Sequence, residues 1–172
     1  MKLKILFLSL FIFANAAVAA EVTVDWHEPN NYTDVESPYV DRDNDFLNVR
    51  FGRIERHLVA LGKMHFTAGE TLQLKITDYD MAGTLVPQAS ASGQQPLVRR
   101  ELLNDQPKMV LSFTLTDANG KVLKEGADIE IEGRAIRTEG RALFPKITRR
   151  DKETVGAELV MLNRWFKETF ID

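Results

Sequence analysis

The stretch Met109-Val110-Leu111-Ser112-Phe113-Thr114-Leu115-Thr116-Asp117-Ala118-Asn119-Gly120-Lys121-Val122-Leu123 decides the fold class. Met109, Leu111, Phe113 and Leu115 alternate with Val110, Ser112, Thr114 and Thr116, which is the two-residue period of a strand with one buried face. Asp117 to Gly120 then supplies turn chemistry, because aspartate and asparagine bond their own backbone and glycine accepts positive φ. The expected unit is an antiparallel hairpin whose return strand runs to about Glu132, with Gly126 marking a bulge or break. Working outward, Leu72, Leu74 and Ile76 alternate with Gln73, Lys75 and Thr77, and Val22, Val24 and Trp26 with Thr23 and Asp25, which predicts two more strands. Leu47, Phe51, Ile54, Leu58, Leu61 and His65 recur at spacings of four and three, as do Val155, Leu159, Leu162 and Phe166, flanked by Met161 and Trp165. Each set makes one apolar stripe on a helix. The expectation is α+β: a small, mostly antiparallel sheet with two amphipathic helices packed on one face. Residues 84–96, rich in Pro, Gln, Ala, Ser and Gly, carry no periodicity and are expected to form a mobile loop near 84–98; residues 133–153 are expected to be irregular.

The chain has 172 residues, a formal net charge of -3 and no cysteine. A disulfide framework, a thiolate metal site and a cysteine nucleophile are therefore excluded. At 44% hydrophobic and 27% charged, the composition is that of a globular domain and not of a collagen, coiled coil or disordered chain. Met1 to Ala20 reads as an export signal: Lys2 and Lys4, an apolar run from Ile5 to Phe13, then small residues from Ala14 to Ala20. The run is too short to cross a bilayer core, which takes about 20 residues. Cleavage is expected next to Ala19 or Ala20, leaving residues 21–172 as a single periplasmic or secreted domain. Loss of Lys2 and Lys4 moves the charge to -5. A lipid anchor at the new N-terminus would need a cysteine, so neither a lipid anchor nor a membrane span is expected.

Few residues are arranged for chemistry. Asp78 and Asp80, two apart at a strand exit, would share a face and can serve as acid and base or hold a cation, although turn-capping is the commoner use of such aspartates. Asp41, Asp43 and Asp45 resemble the start of a calcium loop, but Phe46 stands where its glycine belongs and Gly52 where its glutamate belongs, which rejects an EF-hand. Capping of the following helix explains these carboxylates better, with a looser cation site including Asp34 or Glu36 as the weak alternative. His57 and His65 lie about 12 Å apart along a helix and cannot share an ion; each is expected at the surface or half-buried. The serines at 37, 90, 92 and 112 stand in no nucleophile elbow, and no phosphate loop or dinucleotide fingerprint occurs, so no cofactor is expected.

Charge is uneven along the chain. Residues 134–152 hold seven cationic side chains against two carboxylates, a local +5, whereas residues 21–45 hold eight acids and one arginine, a local -7. Arg137, Arg141, Arg149 and Arg150 are the expected partner surface, because a guanidinium grips phosphate or carboxylate in a fork. The partner classes are an envelope protein or an anionic lipid; nucleic acid is not expected, since the basic run lacks interleaved aromatics. The alternative is internal: the basic stretch docks on the chain's own acidic stretch and binds nothing else.

The ordered motifs Trp26-His27-Glu28-Pro29, Tyr32-Thr33-Asp34, Ile76-Thr77-Asp78-Tyr79-Asp80-Met81-Ala82-Gly83, the hairpin from Met109 to Gly126, and Leu162-Asn163-Arg164-Trp165-Phe166 resemble the bacterial exported family known as domain of unknown function 3016. The resemblance implies a Gram-negative periplasmic or secreted protein and transfers no catalytic or ligand-binding residue. The expected function is a non-enzymatic binding or envelope-accessory protein, and the alternative is a cation-dependent hydrolase using Asp78 and Asp80.

Overall fold

In the computed structural model the elements follow in the order β1 (Glu21–Trp26), a 3-10 turn (Pro29–Asn31), α1 (Asp43–His65), β2 (Thr71–Asp80), β3 (Thr84–Pro87), β4 (Leu97–Arg100), β5 (Lys108–Thr116), β6 (Val122–Glu132) and α2 (Arg149–Phe170). The structure describes residues 19–38, 43–89, 93, 95–100, 105–134 and 144–172, without the side chains of 43 and 44. The expected signal segment before residue 19, Asp41, the Asp43 side chain, Arg137 and Arg141 lie outside these residues.

The β5–β6 hairpin forms as its alternation dictates. Asp117 Oδ1 accepts from the backbone N–H groups of Asn119 at 2.8 Å and Lys121 at 2.9 Å, and Gly120 takes φ +78°. The pairing shifts between Leu111, opposite Ile129, and Phe113, opposite Gly126. A Cβ on Gly126 would fall 2.7 Å from the Phe113 ring and 2.6 Å from Ile129 Cδ1, so only glycine lets the bulge close. The main sheet runs β1-β2-β5-β6, with β2, β5 and β6 antiparallel and β1 parallel to β2. A parallel neighbour requires a crossover, and α1 provides it. The fold is α+β with a mostly antiparallel sheet, in four strands plus the separate two-stranded β3–β4 sheet.

One face of the main sheet carries Val22, Leu72, Leu74, Ile76, Met109, Leu111, Phe113 and Leu115 into a single core shared with Phe51, Ile54, Leu58 and Leu61 of α1 and Leu159, Leu162 and Phe166 of α2. Trp26 stacks on Phe51 at a centroid distance of 3.9 Å, and Phe113 meets Trp165 edge-on at 5.8 Å, so each helix is seated on that face. The opposite face is polar: Thr23, Asp25, Gln73, Lys75, Ser112 and Thr114 line a shallow hollow of about 690 Å³.

Two segments differ from expectation. Residues 84–87 and 97–100, at the ends of the expected loop, pair as β3 and β4, with Leu85 opposite Arg99 and Val86 opposite Val98. Four-residue strands are too short to show a period, and here Arg99 pins the ribbon to the rest of the fold, donating to Gly83 O, Glu36 O and both Asp34 oxygens. Within the segment expected to be irregular, α2 already starts at Arg149. Thr148 caps it, its hydroxyl accepting from Asp151 N at 3.1 Å, and Val155 has non-helical angles (φ -139°, ψ 24°). That first turn owes its place to the cap and to polar contacts, and the apolar stripe resumes only at Val155.

Candidate functional site

The exit of β2 holds the expected carboxylate pair. Between Ile76 and Asp78 the register with β5 slips by one residue. Without the slip, positions 72, 74, 76, 78 and 80 would share the core face; with it, Tyr79 and Met81 turn inward and Asp78 and Asp80 turn away. Asp78 is then consumed by structure: its carboxylate accepts from Thr33 N and Thr33 Oγ1, both at 2.7 Å, and from Tyr79 N at 2.9 Å. Tyr32 donates to Ile76 O at 2.9 Å, and Asp34 bridges to Asp80 through the backbone, with Met81 N donating to Asp34 O at 2.9 Å. The Trp26–Asp34 and Ile76–Gly83 motifs therefore lace onto each other. The two-pronged hydrogen bond from Arg99 holds the Asp34 carboxyl below the ordinary carboxylate range. Burial, then the nearby Asp34 charge, pushes the Asp80 carboxyl up.

Asp78→Ala removes three accepted hydrogen bonds and is expected to cost about 1–3 kcal/mol in urea denaturation. Asp78→Asn keeps one acceptor oxygen and is expected to cost less. A carboxylate held only for catalysis would leave the urea midpoint unmoved when lost.

Of the weak metal candidates, Asp41 and the Asp43 side chain lie outside the described residues. Asp45 is exposed, Asp34 is spent on Arg99, and among the described residues no group of three or more histidines, aspartates or glutamates is placed to hold a metal ion.

The basic end is built by three segments: the middle of α1, residues 145–147, and the first turn of α2. Arg53, Arg56, His57, Ala60, Lys146 and Asp151 are among the walls of a cavity of about 170 Å³ there. Arg53 is buried and donates through Nη1 to Asp151 Oδ1 at 2.5 Å, while Thr148 donates to the other Asp151 oxygen at 2.5 Å. These two donors, Thr148 foremost, hold Asp151 ionised below its ordinary range. His57 is buried, against the expected surface or half-buried setting, and Asn163 Oδ1 lies 2.7 Å from its Nε2. An amide oxygen only accepts, so Nε2 carries the proton; burial lowers the pKa and keeps the ring neutral. Arg149 and Arg150 stand exposed in the first turn of α2, between the cavity residues Ile147 and Asp151 in sequence, and among the described residues the Arg149 side chain, 93% exposed, reaches Glu153, one turn along. Among the described residues no ion pair joins 144–152 to the acidic stretch 21–38; Asp151 turns to α1 and Asp34 to β4.

A second polar contact links the helices. Glu158 Oε1, 2.5 Å from both Arg50 Nη2 and the Tyr79 hydroxyl, is buried under them, and Arg50 also lies over the Phe46 ring. The cluster joins α1, β2 and α2, and its residues line neither of these two cavities. Arg53, His57 and Asp151 escape sequence reasoning because their partners lie about a hundred residues away, and Arg56 because the segments that share its cavity do. The one local signal is that Arg50, Arg53 and His57 fall at spacings of three and four, on the flank of the apolar stripe.

Among the described residues no helix is long and apolar enough to cross a membrane. No curated protein matches the sequence. Among solved structures, a minor lipoprotein from Acinetobacter baumannii is similar at 8% identity and a TM-score of 0.27, with 88% of each chain covered. A family model described as "Protein of unknown function (DUF3016)" matches residues 20–168, from the residue before β1 to the last turn of α2. On that match the chain belongs to the DUF3016 family of proteins of unknown function.

Proposed function

We propose that this is an exported, non-enzymatic binding protein of the bacterial envelope, and that its basic end takes an anionic partner without a cofactor. The observation that carries the reading is the exposure of Arg149 and Arg150 at the start of α2, between Ile147 and Asp151 in sequence, which line a cavity with Arg53, Arg56 and Lys146. The Arg149–Glu153 contact is a surface pair one turn apart, worth about 0.3–0.5 kcal/mol, so it yields readily to a phosphate oxygen. Arg137 and Arg141 belong to the same basic stretch. Export rests on the basic, apolar and small-residue pattern of Met1 to Ala20. A cation-dependent hydrolase at Asp78 and Asp80 is the second reading, favoured by the raised pKa of Asp80 and opposed by the full hydrogen-bond complement of Asp78.

The test is salt-dependent binding of the mature protein to phosphatidylglycerol vesicles, with phosphatidylcholine vesicles as control. Each surface arginine contributes about 1 kcal/mol toward an anionic membrane, so Arg149→Ala with Arg150→Ala is expected to weaken binding about 30-fold. Unchanged binding by the double variant overturns the reading. An arginine-dependent protein captured from an envelope extract, with no vesicle binding, would put an acidic protein in the lipid's place.

A further inference from the structure

We infer that the cavity between α1 and residues 145–147 is a binding site for a phosphate-sized dianion, either inorganic phosphate or the terminal group of a phosphomonoester. The inference rests on the reading of this end of the molecule as anion-binding, and it assigns the recognition to residues other than the exposed Arg149 and Arg150.

Among the described residues the charges that line the cavity do not cancel. Arg53, Arg56 and Lys146 line it together with the single carboxylate of Asp151. Arg53 and Asp151 neutralise each other at 2.5 Å. Among the described residues Arg56 and Lys146 have no carboxylate within 4.0 Å, so the cavity keeps two cations facing solvent. His57 is held neutral by burial and adds no charge. A residual charge of two is what a divalent phosphate cancels and what a monovalent carboxylate leaves half-neutralised.

One wall is also fixed in advance. The Arg53 side chain is only 7% exposed. Asp151 fixes the Arg53 plane through Nη1, and Thr148 fixes Asp151, so the wall is set before a ligand arrives. Arg56 and Lys146 are exposed and free to close over the ligand.

Size selects the class of ligand. At about 170 Å³ the cavity holds about five or six water volumes of ~30 Å³ each, below the roughly 300–1,000 Å³ of pockets that enclose whole organic ligands. It can take a phosphate head and must leave any attached chain outside.

Titration of the mature protein with inorganic phosphate at constant ionic strength, read by calorimetry and by the NMR shifts of Arg53 Nε–H and the His57 ring, tests the site. The expected result is saturable binding with movement of both signals, at least tenfold weakened in Arg56→Gln/Lys146→Gln and retained in Lys63→Gln/Lys121→Gln, which removes two exposed cations that do not line the cavity. Arg56 and Lys146 are likewise exposed, so folding is preserved, and an unchanged circular dichroism spectrum checks this. Absence of saturable binding, or undiminished affinity in Arg56→Gln/Lys146→Gln, overturns the site. The source follows from vesicles containing phosphatidic acid. If free phosphate displaces them and Arg56→Gln/Lys146→Gln abolishes their binding, the ligand is a lipid headgroup; if phosphate binds without affecting them, it is the free anion. The two readings fail separately: loss of vesicle binding through Arg149 and Arg150 alone, with no phosphate titration, leaves the surface reading standing and removes the cavity.

Discussion

Glu158→Ala is expected to destabilise the folded protein by about 3–5 kcal/mol, and urea or guanidinium denaturation of the mature protein measures it directly. Glu158 is 2% exposed and its Oε1 accepts from both Arg50 and Tyr79. Deleting the carboxylate strands the Arg50 guanidinium in a poorly solvated place, left among the described residues with the Phe46 ring and two longer contacts, 3.3 and 3.4 Å, to the Tyr79 hydroxyl. Burial, and then the Glu158 charge, push the Tyr79 hydroxyl well above the ordinary tyrosine range, so it stays a donor and also loses its acceptor. The penalty comes mainly from the widowed charge and little from the net worth of the pair. Arg50→Met combined with Glu158→Leu removes both charges and is expected to return most of the lost stability. A loss below 1 kcal/mol in Glu158→Ala, or a double variant as unstable as the single, would show that the triad does not join the helices to β2 in the way described.

The second large effect is expected at Phe166. Phe166→Ala should cost about 3–5 kcal/mol, which for a domain of this size is a fall in melting temperature of roughly 6–20 °C. Phe166 is fully buried, with ring centroids of Phe66 at 5.3 Å, His65 at 5.6 Å and Phe170 at 4.9 Å. It therefore joins the end of α1 to the end of α2, and its removal leaves a cavity that rigid neighbours on two helices close poorly. Phe170 is half-buried at the chain end, so truncation there is the matched control and is expected to cost clearly less. Equal costs at the two positions would mean that the aromatic cluster collapses around the Phe166 gap.

These two effects have opposite histories in the sequence. Phe166 was legible, because Val155, Leu159, Leu162 and Phe166 stand at spacings of three and four and nothing beyond the chain itself is needed to see the stripe. The strands and the Asp117–Gly120 turn were legible for the same reason, as were both helices and the α+β class. Glu158 was not legible, since a glutamate on a helix is ordinarily solvated and its partners Arg50 and Tyr79 lie 108 and 79 residues away.

The candidate site divides along the same line. Alternation placed Asp78 and Asp80 together, but the face they occupy depends on the bulge between Ile76 and Asp78, which arises where Tyr79 takes the core position and Thr33 meets the Asp78 carboxylate. The uneven charge of residues 134–152 pointed to this end of the molecule and to Arg149 and Arg150. It did not disclose that Arg53 and Arg56, from a helix about a hundred residues earlier, wall a cavity with Lys146. By itself the sequence determined the periods, the turns and the sign of the local charge, because each depends on residues within one or two turns of chain. Only the tertiary structure decided which polar groups are buried, paired or left facing a cavity, because that depends on which distant segments the packed core brings within 3 Å of each other.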